Sequence, residues 1–252
     1  MKKRSIIFAL ALILVSTTCG FAAELTVAVA ANVQYPFQEL EAIFEKETGI
    51  TVEPVIGSSG KLTAQIENGA PFDILISADM DYPEALHKKG LTYNAPAVYG
   101  YGRLVIWTMN DLDLSGGIDV LTDAGLRKIA IASPKTAPYG RQAVNALKFY
   151  GVYDEVLGKL VYGESIAQVN QFISTRAADL GITAMSVVLA PNMKDKGKWI
   201  EIDKESYEPI AQGVVILKYA QDHNPEAARK FFEFLFSDEA KTVFRKYGYN
   251  LP

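Results

Sequence analysis

The chain has 252 residues, 49% of them hydrophobic, with 25 Lys and Arg against 29 Asp and Glu and a single cysteine. That length and apolar content suffice for one large domain or two smaller lobes with buried cores. The mildly acidic balance argues against nucleic acid or anionic lipid as a partner, and one cysteine excludes a disulfide framework or a Cys-clustered metal centre.

Residues 1–23 read as a segment apart. Lys2, Lys3 and Arg4 precede an apolar run from Ile6 to Val15, and small and polar residues follow up to "GFAAE". So short a run, with a basic start and a small-residue exit, is the pattern of a secretory signal peptide rather than a membrane span. Cleavage is expected near Ala22 or Ala23, giving a product soluble outside the cytoplasm with 22 basic and 29 acidic residues and a net charge of about −7. Cys19 raises lipidation as an alternative. Thr18, however, stands where that signal prefers Gly, Ala or Ser, so Cys19 is expected to leave with the leader.

Strands and helices then alternate. "LTVAVAA" (Leu25 to Ala31) is the near-continuous apolar run of a strand covered on both faces. Phe37, Leu40, Ile43 and Phe44 form one helical stripe, with Pro36 in the first turn and Gly49 at the stop. The strand "TVEPVI", a helix from Lys61 to Asn68, the strand "DILISA" and the helix "YPEALHKKG" continue the series. A second series starts near Arg103: the strand "RLVIWT", a short helix "VLTDAGL", the strand "KIAIA", the helices "GRQAVNALKFYG" and "SIAQVNQFISTRAA", and the strand "LGITA". "IAQGVVIL" reads as a further strand. Two terminal helices follow, the first opened by Asn224-Pro225-Glu226 as N-cap, first-turn proline and early acid.

This repetition predicts an α/β fold of mostly parallel sheets flanked by helices. No Gly- or Ser-rich linker separates the two series, so two interleaved lobes are expected, joined by ordinary strands: lobe 1 from 24–103 and 213–252, lobe 2 from 104–212. A ligand would then sit in the crevice at the carboxyl ends of the strands.

Four strand-to-helix loops point there. They are "AANVQYP" around Asn32, "GSSGK" around Ser58 and Ser59, "SPKTAPYGRQ" around Tyr139 and "YGESIAQ" around Ser165 and Ile166. Unpaired N–H groups at converging helix starts would seat an anion. Each loop also has a plainer reading: Ser58, Ser59, Ser165 and Asn32 as helix caps, and Tyr139 as an aromatic lid over the core.

Catalysis finds little support. A serine nucleophile at Ser58 or Ser59 needs a histidine, and His87 and His223 both lie in charged contexts. "GSSGK" lacks the spacing of a phosphate-binding P-loop, and no zinc or EF-hand pattern is present.

"LTVAVAANVQYPFQELEAIFEKETGITVEPVIGSSGKLTAQIENGAPFDILISAD", together with "KIAIASPKTAPYGRQAVNAL", "LGIT" and "FRKYGYNL", closely resembles the periplasmic molybdate-binding proteins, the solute receptors of molybdate ABC importers. The resemblance implies the two-lobed class II periplasmic-binding-protein fold, with molybdate or tungstate held between the lobes by hydroxyls and backbone amides. It also implies a membrane permease as partner, no cofactor, no direct cation site, no enzymatic activity and a monomer. Carried over by motif, the ligand residues are Asn32, where many relatives have serine; Ser59 with Ser58 beside it; Tyr139 in "PYG"; and Ile166 in "ESI" as an amide donor. One departure is Ala184 in "GITAMS", where many relatives place a tyrosine, so Tyr139 is expected to supply the missing hydroxyl. The alternatives are a receptor for sulfate or another tetrahedral oxyanion, a secreted serine hydrolase, and a protein-binding adaptor.

Overall fold

A computed structural model of the chain describes residues 24–252; the expected leader and Cys19 lie outside the described residues. In chain order, β1 (Glu24–Ala30) leads through a 3-10 turn at Ala31–Val33 into α1 (Gln34–Thr48), followed by β2 (Thr51–Gly57), α2 (Ser59–Glu67), β3 (Ile74–Ile76), α3 (Asp81–Lys88) and β4 (Ala97–Gly102). The chain then crosses to a second sheet with β5 (Leu104–Thr108), β6 (Ile129–Ala132), α4 (Pro138–Phe149), α5 (Tyr153–Val156), β7 (Leu160–Gly163), α6 (Ile166–Ser174), β8 (Leu180–Ala184), α7 (Met185–Val188) and β9 (Lys198–Glu201). It returns through β10 (Ile210–Ile216) and ends in α8 (Lys218–His223), α9 (Pro225–Phe234) and α10 (Asp238–Lys246).

The two sheets share one plan. The first has strand order β2-β1-β3-β10-β4 and the second β7-β6-β8-β5-β9. In each, the first three strands are mutually parallel and the fourth runs antiparallel to both neighbours. Four strands of five therefore point the same way, as the βαβ repetition predicts, and the reversed strand is the one that enters from the other lobe. β10 lies wholly in the first sheet, from Ile210 on, so the sheet begins three residues ahead of Gly213.

The apolar stripe of α1 buries Phe37, Leu40 and Phe44. Phe44 meets Phe231 of α9 edge to face at 4.9 Å, and Phe37 lies 5.9 Å from the same ring. This aromatic wedge fixes the terminal helices on lobe 1. In lobe 2, Trp107 is fully buried and its indole N–H donates to Lys196 O at 2.9 Å.

Several expectations shift in detail. "VLTDAGL" forms no α-helix; a 3-10 turn covers Gly117–Thr122 instead. β4, β7, β9, α5, α7 and α8 have no counterpart among the predicted elements. Asn224 does precede Pro225, yet its side chain caps nothing: the amide donates to Glu24 O and to the Asp73 carboxylate, both at 3.1 Å, tying α9 to the start of β1 and β3.

Candidate functional site

Each of the four flagged loops follows the carboxyl end of a strand, and the two sheets bring those ends face to face. Asn32, Ser58, Ser59, Tyr139 and Ile166 all line one small cavity of about 10 Å³, completed by Ala30, Ala31, Gly57, Ala78, Ala137 and Pro138. The five are 1%, 3%, 1%, 2% and 3% exposed, so the cavity is roofed by both lobes. No carboxylate, lysine, arginine or histidine lines it.

Three helices begin at its wall: α2 at Ser59, α4 at Pro138 and α6 at Ile166. First-turn N–H groups have no intrahelical acceptor, and each helix start carries about half a positive charge. A capping side chain would normally absorb one such donor. Here Ser58, Ala137 and Ser165 occupy the cap positions in extended conformation, and none makes a side-chain cap bond. Ser58 and Ser165 therefore hold cap positions without doing a cap's work.

The Ser58 hydroxyl is the sharpest feature. Its Oγ is buried with no hydrogen-bond partner, a state that costs about 1–3 kcal/mol unless something fills it. Ser59 differs: its Oγ accepts from Ala78 N at 2.9 Å, leaving its own proton free to donate.

α2 and α4 can approach the cavity because small residues sit at their starts. A Cβ on Gly140 would lie 2.2 Å from Ala132 O, so only glycine lets α4 begin against the end of β6. Across the lobes, Gly60 N donates to Thr136 O at 2.9 Å, and the Ser186 hydroxyl donates to Asn32 O at 2.6 Å.

Beneath the cavity lies a polar layer that the sequence did not announce. Gln212, fully buried on β10, donates through Nε2 to Ala78 O at 3.3 Å and Ile210 O at 3.2 Å. Carbonyls only accept, so the amide is turned with Oε1 toward Asn32. Asn32 Nδ2 accordingly donates to Gln212 Oε1 at 2.7 Å and to the Tyr249 hydroxyl at 3.0 Å. Tyr249 in turn donates to Asn32 O at 3.1 Å, and Tyr99 reaches Gln212 Oε1 at 3.3 Å.

This layer revises one residue role. Both amide protons of Asn32 are committed below the cavity, so its side chain braces the wall rather than donating as a serine would. The Tyr139 hydroxyl packs against Gly102, where a Cβ would stand 1.9 Å from it, and its backbone N–H lies in the first turn of α4. Ala184 is itself fully buried at the end of β8. Burial raises Tyr99 and Tyr139 well above the ordinary tyrosine range and pushes Tyr249 up to about 12, so all three stay neutral.

The histidines are elsewhere. His87 pairs with Thr92 at 2.7 Å and His223 stacks on Tyr219 at 3.9 Å; both are exposed and neither lines the cavity. A serine there has no general base.

Residues 25–250 match the family described as bacterial extracellular solute-binding protein. The chain is 39% identical over 231 residues to the molybdate-binding protein ModA of Azotobacter vinelandii, covering 91% of each. It is 37% identical over 246 residues to ModA of Rhodobacter capsulatus, covering 96% of this chain and 94% of that one. Its structure superposes on the periplasmic molybdate-binding protein of A. vinelandii with a TM-score of 0.85 at 33% identity, over 90% of this chain and 99% of the other. With two interleaved α/β lobes enclosing a buried cavity, and with these relatives, the chain belongs to the bacterial extracellular solute-binding protein family.

Proposed function

We propose that the chain captures molybdate, and tungstate with it, between its lobes and delivers it to the membrane permease of an ABC importer on the periplasmic side. The observation that carries this reading is the unpartnered Ser58 hydroxyl, buried in a cavity whose other donors are the Ser59 hydroxyl and the N–H groups of three helix starts. Molybdate is a tetrahedral dianion with four acceptor oxygens and no donor. A wall of neutral donors matches it, whereas the O–H of protonated phosphate would face no acceptor. The protein acts as a monomer, needs no cofactor and performs no covalent chemistry; Ser58, Ser59, Tyr139 and Ile166 donate, and Asn32 positions. Lobe limits of 24–103 with 210–252, and 104–209, belong to the same proposal, the return boundary being set by the start of β10.

Charge-assisted hydrogen bonds contribute about 1.5–3 kcal/mol each, and micromolar binding needs about 8 kcal/mol net, so a handful of neutral donors suffices without a cation. Sulfate has the same shape and charge but shorter bonds. Discrimination against it falls to cavity size, which packed backbone donors cannot shrink at low cost. Isothermal titration of the unliganded protein with molybdate, tungstate and sulfate tests the reading: comparable tight binding of the first two and weak sulfate is expected, and sulfate binding more tightly than molybdate overturns it.

A further inference from the structure

We propose that Arg141 is a positioning residue that holds the lobes shut over the cavity, by reaching from α4 in lobe 2 to Asp79 on the loop after β3 and Asp81 at the start of α3 in lobe 1. Its guanidinium pairs with the Asp79 carboxylate and lies 3.1 Å from Asp81 Oδ2, while its carbon stands 5.7 Å from the Tyr82 ring centre. Both ends of this bridge abut the cavity wall. Arg141 follows Tyr139 by two residues, and Asp79 follows Ala78, whose N–H holds the Ser59 hydroxyl.

The asymmetry of the pair is what makes closure depend on it. Asp79 is 9% exposed, whereas the Arg141 side chain keeps about a third of its surface in water. Burial pushes the Asp79 carboxyl up while Arg141 pulls it down, and burial is the larger effect. The closed form thus carries a desolvated carboxylate beside a site proposed for a dianion, and Arg141 is the cation that makes both tolerable. Without it, closing the lobes buries an uncompensated charge, which costs far more than the pair itself is worth. A second crossing pair, Lys61 to Glu164 at 2.5 Å, is half-exposed at both ends and contributes less.

The inference rests on the oxyanion reading, and sodium molybdate is the probe. Association and dissociation rates are measured by stopped flow for the wild type, Arg141→Gln, Asp79→Asn and the double variant, with melting temperatures of the unliganded proteins alongside. Arg141→Gln is expected to raise the dissociation rate about tenfold or more with little change in association, since truncating one partner of a buried charge pair acts on dissociation. Adding Asp79→Asn is expected to recover most of that loss, and the unliganded melting temperature to move little. A purely structural arginine would lower the melting temperature and would not be rescued by Asp79→Asn. Should Arg141→Gln fail to fold, Arg141→Lys carries the test: dissociation about threefold or more faster than wild type is expected, because a single ammonium cannot bridge Asp79 and Asp81 as the guanidinium fork does. The inference falls if Arg141→Gln dissociates within about twofold of wild type, if Asp79→Asn recovers nothing, or if, where Arg141→Lys stands in, that variant dissociates within about twofold of wild type. Failure of the wild type to bind molybdate at all would instead overturn the functional proposal.

Discussion

At the scale of the residue, Ser58 and Ser59 are neighbours with opposite accounts. Ser58 Oγ has no protein partner, so the folded chain carries the cost of a dry hydroxyl until a ligand accepts from it. Ser58→Ala is therefore expected to leave the unliganded melting temperature unchanged or slightly raised, while weakening molybdate binding by about 10- to 100-fold, the worth of one charge-assisted hydrogen bond. Ser59→Ala should lower both, because its Oγ also ties Ala78 N. Calorimetry on the two variants separates the accounts, and equal stability losses would refute them. The tyrosines beneath the cavity set a pH limit. Tyr99, Tyr139 and Tyr249 are raised above their unfolded value of 10.0, Tyr249 to about 12. A raised folded value means that the unfolded chain ionises first, so this stability is complete below pH 10 and is lost as pH climbs toward 12. Thermal melts from pH 7 to 12 should be flat in this respect up to about 10 and then fall.

At the scale of the element, the central strands, the edge strand β2 and the long helices were legible, and the other three edge strands were not. β1, β3, β8 and β10 are apolar runs because both their faces are covered, and α1, α4 and α6 show clear stripes. β7 and β9 lie at the margins of their sheet and are four residues long; "LVYG" and "KWIE" alternate too briefly to register. β4, "AVYGYG", is another edge strand, and its glycines read as a turn. The short α8 lacks any stripe, with only Ala220 buried. The site divides the same way. Its cavity wall was legible because small residues at strand-to-helix junctions have a local signature, while the layer below joins Asn32 to Gln212 and Tyr249, 180 and 217 residues away, which no local pattern encodes. The start of α2 yields a test at this scale. A Cβ on Gly60 would stand 2.6 Å from the Tyr82 hydroxyl and 3.0 Å from the Thr136 backbone of the other lobe. Gly60→Val is expected to wedge the lobes apart without disturbing either core. Molybdate affinity should fall by more than tenfold, and X-ray scattering should show no compaction on adding ligand.

At the scale of the whole molecule, the burial of the cavity has a consequence for traffic. Every one of the five residues proposed for the site is no more than 3% exposed, so a hydrated dianion cannot reach them without shedding its water shell against both lobes. Entry and release must follow parting of the lobes about the two strand crossings, β4 to β5 and β9 to β10, a hinge motion on a microsecond-to-millisecond scale. The crossings suit this role, because each joins adjacent sheets through few residues and leaves both cores whole when it flexes. The resulting prediction uses the rim. Lys61 and Glu164 touch across the lobes at 2.5 Å, both half-exposed, and the sequence has no cysteine besides Cys19. Lys61→Cys with Glu164→Cys, loaded with molybdate and bridged by a short bis-maleimide, should hold the ligand through dilution into buffer containing excess tungstate. The same protein left unbridged should exchange freely. Equal exchange by the two would mean that the anion passes through a standing opening, and the closed cavity would then be irrelevant to retention. Slow exchange confined to the bridged form would instead make lobe opening the step on which an importer has to act, since the donors themselves hold the ligand with no cation that could be removed to free it.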